Sequence, residues 1–158
     1  MTYDLAIIGA GMAGASLAAE VGTQARVLLL EAEDMPGYHT TGRSAAFWEE
    51  CYGGPAIVPL SRASEGFLRD GGYLKTRGAL YIGRAQEAPM LDAFEARFAD
   101  SGARFERLSP GAAHGYVPTL RAEWREAIWQ PHCADIDVAA LHQSYLKSAR
   151  AAGAQMAT

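Results

Sequence analysis

Apolar runs and glycines alternate along the first part of the chain in a way that predicts a strand, a helix and a second strand. Residues 3–8 are a short apolar run with β-branched side chains, and three glycines follow it directly. Residues 12–21 are rich in alanine and other good helix formers, and 26–31 form a second apolar run that ends in an acid. This pattern predicts a βαβ unit with buried parallel strands.

The rest of the chain alternates helix-like and strand-like segments after a polar loop. Residues 35–44 combine Pro, Gly, Thr and Ser, which is typical of a loop with many hydrogen-bonding groups, and Ser44 to Trp48 is a candidate short helix. The apolar spacing predicts helices over 55–69, 87–98 and 138–152, and strands over 78–83, 104–108 and 127–130. Asp137 is the expected N-cap residue of the last helix, and Gly153 its C-terminal stop.

Composition narrows the class of protein and its partners. The 158 residues are 49% apolar and 20% charged with a net charge of −4, which indicates at most one globular domain with a packed core. The basic residues are scattered, which argues against a nucleic-acid partner and favours a small-molecule ligand. The apolar runs are far shorter than the roughly 20 residues of a membrane span, and the N-terminal pattern is unlike a signal peptide, so we expect a cytoplasmic protein.

Two further expectations concern the cysteines and the end of the chain. Cys51 and Cys133 are expected to be free thiols, because two cysteines make no disulfide framework. His132 and Cys133 with the nearby Asp135 and Asp137 match no zinc-binding spacing, so no metal site is expected. Residues 154–158 resemble the start of another strand, so we expect the chain to be a fragment with an uncovered sheet edge.

The first turn carries the clearest chemical motif. Gly9, Gly11 and Gly14 form a G-x-G-x-x-G pattern between a strand and a helix, suited to a tight turn, a pyrophosphate approach and close helix–strand contact. The helix N-terminus would hold the pyrophosphate, and Glu31 would accept hydrogen bonds from the ribose and repel a 2′-phosphate. We infer dinucleotide binding, with NAD and FAD both open; a simple tight turn is the less favoured interpretation.

Longer blocks of sequence resemble a known family. They are PGYHTTGRSAA at 36–46, LSRAS at 60–64, RGAL at 77–80 and ADIDVAALH at 134–142, in addition to 3–31. Together they resemble the FAD-dependent D-amino-acid oxidase/glycine oxidase family, with the closest likeness to its D-arginine and other D-amino-acid dehydrogenases. The resemblance runs over nearly the whole chain, and the block at 36–46 is far more specific than the glycine turn.

The resemblance implies an α/β fold with a Rossmann-like FAD/NAD(P)-binding domain built on a parallel sheet. This domain would be incomplete and discontinuous, over 1–70 and 137–158, with part of an α+β substrate domain over 71–136. FAD is the implied cofactor. Full-length members are much longer, and their later part supplies the arginine that pairs with the substrate carboxylate, so we expect this chain alone to be inactive.

The resemblance also implies a set of site residues. The loop over 40–47 would wrap the pyrophosphate, the ribityl chain and the flavin ring, which suits its hydroxyl groups, its arginine and its small alanines. The cofactor-binding candidates are Gly9, Gly11, Ala13, Gly14, Glu31, Ala32, Thr40, Thr41, Gly42, Arg43, Ser44, Ala45, Ala46 and Phe47. Tyr52 is the candidate substrate-facing residue, with a position in the core or at the rim as the alternative. A solvated loop remains the alternative for 40–46.

The activity implied by the resemblance is oxidation of a D-amino acid or related amine, with hydride transfer from Cα to flavin N5 and no protein nucleophile or metal. Phe47 stands where some relatives have a histidine, and Ala79 where arginine-selective members have a carboxylate, which favours a less polar substrate. The alternative is a truncated, non-catalytic dinucleotide-binding half that needs a separate C-terminal partner. An NAD-dependent dehydrogenase is disfavoured by the loop over 40–46.

Overall fold

The structure is a computed structural model that describes residues 2–158, and its contacts divide the chain into two compact units. The first unit contains the chain up to Ala46 together with Asp137–Thr158, and the second contains Phe47–Ile136. Residues 47–70 therefore pack with the second unit, whereas the resemblance placed them in the cofactor domain. No helix within residues 2–158 combines the length and apolar character needed to cross a bilayer.

The first unit is a three-stranded parallel sheet with two helices. Its elements are β1 (Leu5–Ile8), α1 (Met12–Val21), β2 (Val27–Leu30), α4 (Val138–Ala151) and β9 (Gln155–Ala157), and the strand order is β1-β2-β9. The predicted βαβ unit is confirmed by the parallel pairing of β1 with β2. Asp137 caps α4 by accepting a hydrogen bond from the Ala140 amide at 2.9 Å, which confirms the predicted N-cap.

One face of this sheet is buried and the other is open. Ile7, Val27 and Leu29 alternate toward the helices and are nearly inaccessible, in one cluster with the alanines and Leu146 of α1 and α4. Ile8 points to the opposite face and is 89% exposed. β1 was expected to be buried, and this is correct for one of its faces only. A parallel strand is fully buried when helices cover both faces of its sheet, and α1 and α4 cover the face that carries Ile7.

An exposed ion pair joins the start of the first unit to β2. Asp4 accepts hydrogen bonds from the Arg26 backbone amide and from two guanidinium nitrogens, all at 2.9–3.0 Å. The Arg26 side chain and amide lower the pKa of the Asp4 carboxyl from 3.8 to about 2. The contact therefore stabilises the folded chain fully at pH values above 3.8, the pKa of Asp4 in the unfolded chain. This stabilisation is lost as the pH falls through about 2, the pKa of Asp4 in the folded chain.

Replacing Asp4 with asparagine is therefore expected to remove part of the acid sensitivity of the chain. At about pH 5 the urea midpoint of D4N should lie below that of the parent, and the two midpoints should converge toward about pH 2. Urea unfolding followed by circular dichroism over this range measures it. A constant difference between the two midpoints across the range would contradict the pKa assignment.

The second unit contains two α-helices, three 3₁₀ turns and two antiparallel sheets. Its elements are β3 (Phe47–Trp48), α2 (Val58–Asp70), β4 (Leu74–Thr76), β5 (Ala79–Arg84), α3 (Ala88–Phe98), β6 (Glu106–Leu108), β7 (Trp124–Gln130) and β8 (Ala134–Ile136), with single 3₁₀ turns before α2 and α3 and a third over 112–115. The sheets have the orders β3-β8-β4 and β5-β7-β6.

The candidate short helix over Ser44 to Trp48 was wrong. Phe47 and Trp48 are instead a two-residue strand that pairs with Asp135 and Ala134 of β8. Neither β4 nor β8 was predicted either. These three strands are two or three residues long and are held by partners distant in the chain, so no local pattern distinguishes them from loops.

Candidate functional site

The turn between β1 and α1 is built from glycine backbone. Gly9 has a φ of +93°, which lets the chain turn sharply after the strand, and its amide donates to the Leu30 carbonyl at 2.7 Å. A Cβ on Gly14 would lie 1.9 Å from the Gly9 carbonyl oxygen. The first turn of α1 thus packs directly on the strand-to-helix turn, which is the close contact predicted for the third glycine.

Thr41 covers part of the N-terminus of α1. The helix begins at Met12, and its extended N-cap residue Gly11 carries no capping side chain. The Met12 amide donates to Thr41 Oγ1 at 2.9 Å, and a Cβ on Gly11 would lie 3.0 Å from the same oxygen. The first amides of α1 were expected to be free for a pyrophosphate, but the Met12 amide already has Thr41 Oγ1 as its acceptor. No side chain within residues 2–158 accepts from the amides of Ala13 and Gly14.

Glu31 is fixed beside the same turn. Its carboxylate accepts hydrogen bonds from the Ala10 amide at 2.9 Å, the Ala32 amide at 2.8 Å and the Glu33 amide at 3.2 Å. These bonds, the one from Ala10 first, hold the pKa of the Glu31 carboxyl below its usual value. The side chain is therefore an ionised acceptor oriented toward the Gly9–Ala10 turn, with lone pairs left for a further donor.

The loop after β2 folds back on itself. The Gly42 amide donates to the Gly37 carbonyl at 2.7 Å, and Arg43 N donates to the His39 carbonyl at 3.1 Å. The Arg43 guanidinium lies over the Tyr38 ring, 4.6 Å from its centroid. The hydroxyls and the arginine of this loop are thereby held on a compact scaffold rather than on an extended segment.

Two clefts border this loop within the first unit. One has a volume of about 220 Å³ and is lined by Gly9, Gly11, Glu31 and residues 37–41. The other, of about 590 Å³, is lined by 35–38, 41–44 and the first turns of α4. The first cleft brings together the glycine turn, the acid and the Thr40–Thr41 pair, while Arg43 and Ser44 line the second.

His142 is a residue of this region that sequence reasoning did not assign to the site. It lies on α4, is 4% exposed, and donates from Nε2 to the Ala10 carbonyl at 2.7 Å. A Cβ on Gly37 would lie 2.9 Å from its ring. The imidazole thus ties the late helix to both the glycine turn and the loop, across 132 positions of sequence. Nothing in the local sequence around His142 indicates a partner so far away.

The remaining candidates are placed as follows. Ala13, Ala32, Thr40, Gly42, Ser44 and Ala45 are exposed and Ala46 is half-buried, all in the first unit. Phe47 and Tyr52 belong to the second unit. Their rings meet edge to face with centroids 5.8 Å apart, and Tyr52 is 72% exposed. Tyr52 is therefore not a core residue.

The family model for FAD dependent oxidoreductases (DAO) matches residues 4–158. The chain belongs to this family. Its FAD-dependent members supply the cofactor identity that the glycine motif alone left open between NAD and FAD. The resemblance inferred from the sequence blocks is thus confirmed at the level of the family.

Solved structures of several oxidoreductases share the fold of this chain. Glycine oxidase from Geobacillus kaustophilus superposes with a TM-score of 0.81 at 22% identity, over 98% of this chain and 46% of that chain. L-α-glycerophosphate oxidase from Mycoplasma pneumoniae, solved with FAD bound, superposes with a TM-score of 0.87 at 15% identity. The match covers 100% of this chain and 45% of that chain. L-proline dehydrogenase from P. horikoshii superposes with a TM-score of 0.82 at 20% identity, and the match covers 96% of this chain and 42% of that chain. The chain thus spans less than half the length of these relatives.

The first unit of this FAD-dependent oxidoreductase family member fits its cofactor on its own geometry. The bare backbone at Gly9 and Gly11 and the ionised Glu31 carboxylate border one cleft, and the N-terminus of α1 begins directly after Gly11. These groups provide donors for a pyrophosphate and an acceptor for ribose hydroxyls within reach of each other. The predicted roles of the individual residues stay predictions.

The cysteines do not supply a nucleophile. Both are free thiols, as expected from the sequence, and both are buried. Burial, with Glu49 and Glu50 nearby, raises the pKa of Cys51 to about 12, and burial likewise raises the pKa of Cys133. Both are therefore protonated thiols at neutral pH.

Within residues 2–158 no group of three or more His, Cys, Asp or Glu side chains is arranged to hold a metal ion.

Two neighbouring acids before Tyr52 were also missed by sequence reasoning. Glu49 accepts a hydrogen bond from the Tyr81 hydroxyl at 2.6 Å. Glu50, 3% exposed, accepts from the Arg104 amide at 2.5 Å and from its Nε at 2.7 Å. Acidic pairs are usually solvated, so the sequence offers no sign of their burial. They anchor the segment between the Phe47 strand and Tyr52.

Proposed function

We propose that this chain forms the cofactor-binding part, and a portion of the substrate domain, of an FAD-dependent oxidoreductase that oxidises a D-amino acid or a related amine. The observation that carries the proposal is the cleft bordered jointly by Gly9 and Gly11 of the glycine turn, by Glu31 and by Thr40 and Thr41. Membership of the family supports FAD as its ligand. The choice of amine donor rests on the sequence block at 36–46.

In the proposed complex the first unit positions the cofactor. The amides of Ala13 and Gly14 and the dipole of α1 stabilise the pyrophosphate, and Glu31 accepts from the ribose. Thr41 Oγ1 already accepts from Met12, so its hydroxyl proton is available to donate to a phosphate oxygen. Arg43 and Ser44 provide further hydrogen-bond donors for the part of the cofactor between the pyrophosphate and the flavin ring.

The flavin ring would lie along the end of the loop. Ala45 and Ala46 are small enough for a flat ring to approach the backbone, and Phe47 supplies an aromatic contact. Bound FAD would accept the hydride that leaves the α-carbon of the donor. The protein contributes by binding and orienting the donor, so no side chain has to act as a nucleophile.

The donor is proposed to be a small molecule with an anionic group. Glycine, L-proline and L-α-glycerophosphate, which appear in the names of the solved relatives, all carry a carboxylate or a phosphate. Ala79 and Phe47 add no charge next to the proposed site, which favours a donor with a less polar side chain than D-arginine. D-amino acids of this kind are the proposed class.

The first test is cofactor uptake by the chain itself. The unaltered chain is expected to bind FAD weakly, whereas Gly11→Val should reduce FAD affinity by roughly a hundredfold or more, because its side chain would occupy the pyrophosphate approach. Equilibrium dialysis against FAD measures both affinities. Ser101→Val, in the second unit, is the matched control and should leave FAD affinity unchanged. Equal FAD affinity of G11V and the parent would contradict the proposed placement.

The second part of the test addresses the reaction. The absorbance spectrum of the full-length product of the gene that encodes this chain is recorded before and after addition of a mixture of D-amino acids. Loss of the flavin absorption band is expected. A spectrum unchanged by D-amino acids but bleached by another amine would overturn the donor class and leave FAD binding standing.

A second candidate function is a dinucleotide-binding half that works only with a separate polypeptide. The open sheet face favours it, since Ala6, Ile8, Leu28 and Leu30 share the face opposite the helices and Ile8 is 89% exposed. The proposed partner is a polypeptide equivalent to the remaining half of the relatives' length. FAD uptake by the full-length product without bleaching by any amine would favour this candidate.

A further inference from the structure

The second unit exposes an aromatic pair next to an arginine. Phe47 and Tyr52 meet edge to face, and the Arg77 guanidinium carbon lies 5.6 Å from the centre of the Phe47 ring. Tyr52 is 72% exposed and the Arg77 side chain is 45% exposed. Aromatic surface beside a cation is the surface that an apolar molecule with an anionic group requires.

Arg77 is held in one orientation by its neighbours. Its Nε donates to Asp135 Oδ1 at 2.6 Å, and Asp135 lies directly across the β3–β8 pair from Phe47. Its backbone amide donates to the Cys133 carbonyl at 3.0 Å. Within residues 2–158, Nη1 and Nη2 of Arg77 have no hydrogen-bond partner. The Nε group of Arg77 thus fixes the orientation of the guanidinium, and Nη1 and Nη2 remain available to donate hydrogen bonds to a ligand.

Other arginines of the same unit use their guanidinium groups internally. Arg104 bonds Glu50 and Glu65, and Arg107 bonds Glu95 and Glu126. Arg69 donates to Glu65 and Thr76. Arg77 differs from these because it combines a single anchoring carboxylate with a free pair of donors and a ring contact. A free, oriented guanidinium edge matches the two oxygens of a carboxylate.

We propose that Arg77, Phe47 and Tyr52 form a binding site for apolar and aromatic carboxylates. The Nη1 and Nη2 groups of Arg77 bind the carboxylate, and the two rings contact the apolar part of the ligand. The proposal rests on the proposed function in that it makes this site the donor site of the oxidoreductase. It adds that this chain itself supplies a carboxylate contact, with Arg77 as the residue that selects anionic donors.

The test is a binding titration of the purified chain with anthranilate, a fluorescent aromatic carboxylate, and with aniline, which has the same ring without the carboxylate. The parent should bind anthranilate about tenfold more tightly than aniline, the contribution of a charge-assisted hydrogen-bonded pair. Arg77→Gln should remove this preference and leave aniline binding unchanged. Arg77→Lys, which keeps the charge without the planar edge, should give an intermediate affinity.

Arg121→Gln is the matched control, because Arg121 is also an exposed arginine of the second unit with a single carboxylate partner, Glu123, at 3.4 Å. It should bind anthranilate like the parent. Circular dichroism confirms that each variant is folded, and R77K remains informative if R77Q is not. Equal anthranilate affinity in the parent and either folded Arg77 variant, or no preference for anthranilate over aniline in the parent, would overturn the proposal.

FAD uptake is measured in parallel on the same samples, so that the two proposals can fail separately. All residues of the carboxylate site belong to the second unit. Anthranilate binding to this site can therefore be measured whether or not FAD is bound. Absence of FAD uptake by the parent would count against the proposed function alone. An intact FAD affinity with an unaltered anthranilate affinity in R77Q would count against the Arg77 site alone.

Discussion

Gly14→Ala is expected to unfold the first unit and to abolish FAD uptake. The new Cβ would lie 1.9 Å from the Gly9 carbonyl oxygen and 3.2 Å from Ile7 Cγ2. The first of these atoms is backbone in a turn fixed by a hydrogen bond to Leu30, so it cannot move aside cheaply. The helix must shift away from β1 instead, at a cost of roughly 3 kcal/mol or more in the free energy of unfolding.

The tryptophans allow this loss to be assigned to one unit. Trp48, Trp124 and Trp129 all lie in the second unit, so tryptophan fluorescence follows that unit in urea, while circular dichroism also follows α1 and α4. In G14A the helical signal should fall at lower urea than in the parent, with the fluorescence transition unchanged. Coincident shifts of both signals would show that the two units unfold together and would contradict a loss confined to the first.

Gly66 provides the matched control for this substitution. It is also a helical glycine, in α2, but a Cβ there meets no atom within 4 Å. Gly66→Ala should stabilise the chain by about 0.5–1 kcal/mol, because alanine is the better helix former and has less freedom in the unfolded chain. A G14A urea midpoint equal to that of the parent would mean that α1 does not press on the glycine turn.

Glu50→Gln is expected to destabilise the second unit by roughly 2–3 kcal/mol. The carboxylate is 3% exposed and accepts from both the amide and the side chain of Arg104. An amide group in its place offers one acceptor and directs a donor at a cation, which leaves the guanidinium partly unpaired. The loss is at the lower end for a buried pair because Arg104 is partly exposed and keeps its contact with Glu65 at 2.6 Å.

Urea unfolding followed by tryptophan fluorescence measures this loss directly. The control is Glu123→Gln, which removes the exposed partner of Arg121 and should change the free energy of unfolding by less than about 0.5 kcal/mol. If E50Q unfolds at the same urea concentration as E123Q, the contact between Glu50 and Arg104 contributes no more than a surface ion pair. Tyr52, which follows this segment, would then owe its position to other contacts.

Local patterns were enough to predict the part of the site that is continuous in sequence. The G-x-G-x-x-G spacing between an apolar run and an alanine-rich run implied both the turn at Gly9 and the close approach at Gly14. Glu31 was placed correctly because an acid at the end of the second parallel strand must lie next to the first βα turn. Each of these inferences concerns residues within the one continuous βαβ unit.

Sequence reasoning failed where a position depends on a partner far along the chain. His142 reaches Ala10 from a helix more than a hundred residues later, and Glu50 meets Arg104 across a separation of 54. The two-residue strand at Phe47 exists only because it pairs with β8. None of these residues has an unusual local pattern, so composition and periodicity carry no information about them.

The sequence by itself determined the βαβ unit, its glycine turn, the identity of the acid beside it and the family to which the chain belongs, because these depend on residue type at short, regular spacing. Only the tertiary structure decided that Thr41 lies on the start of α1, that β1 is covered on one face, and that Arg77 keeps two free donors beside Phe47. Those features are properties of packing between distant segments, and packing is specified by the whole chain at once rather than by any window of it.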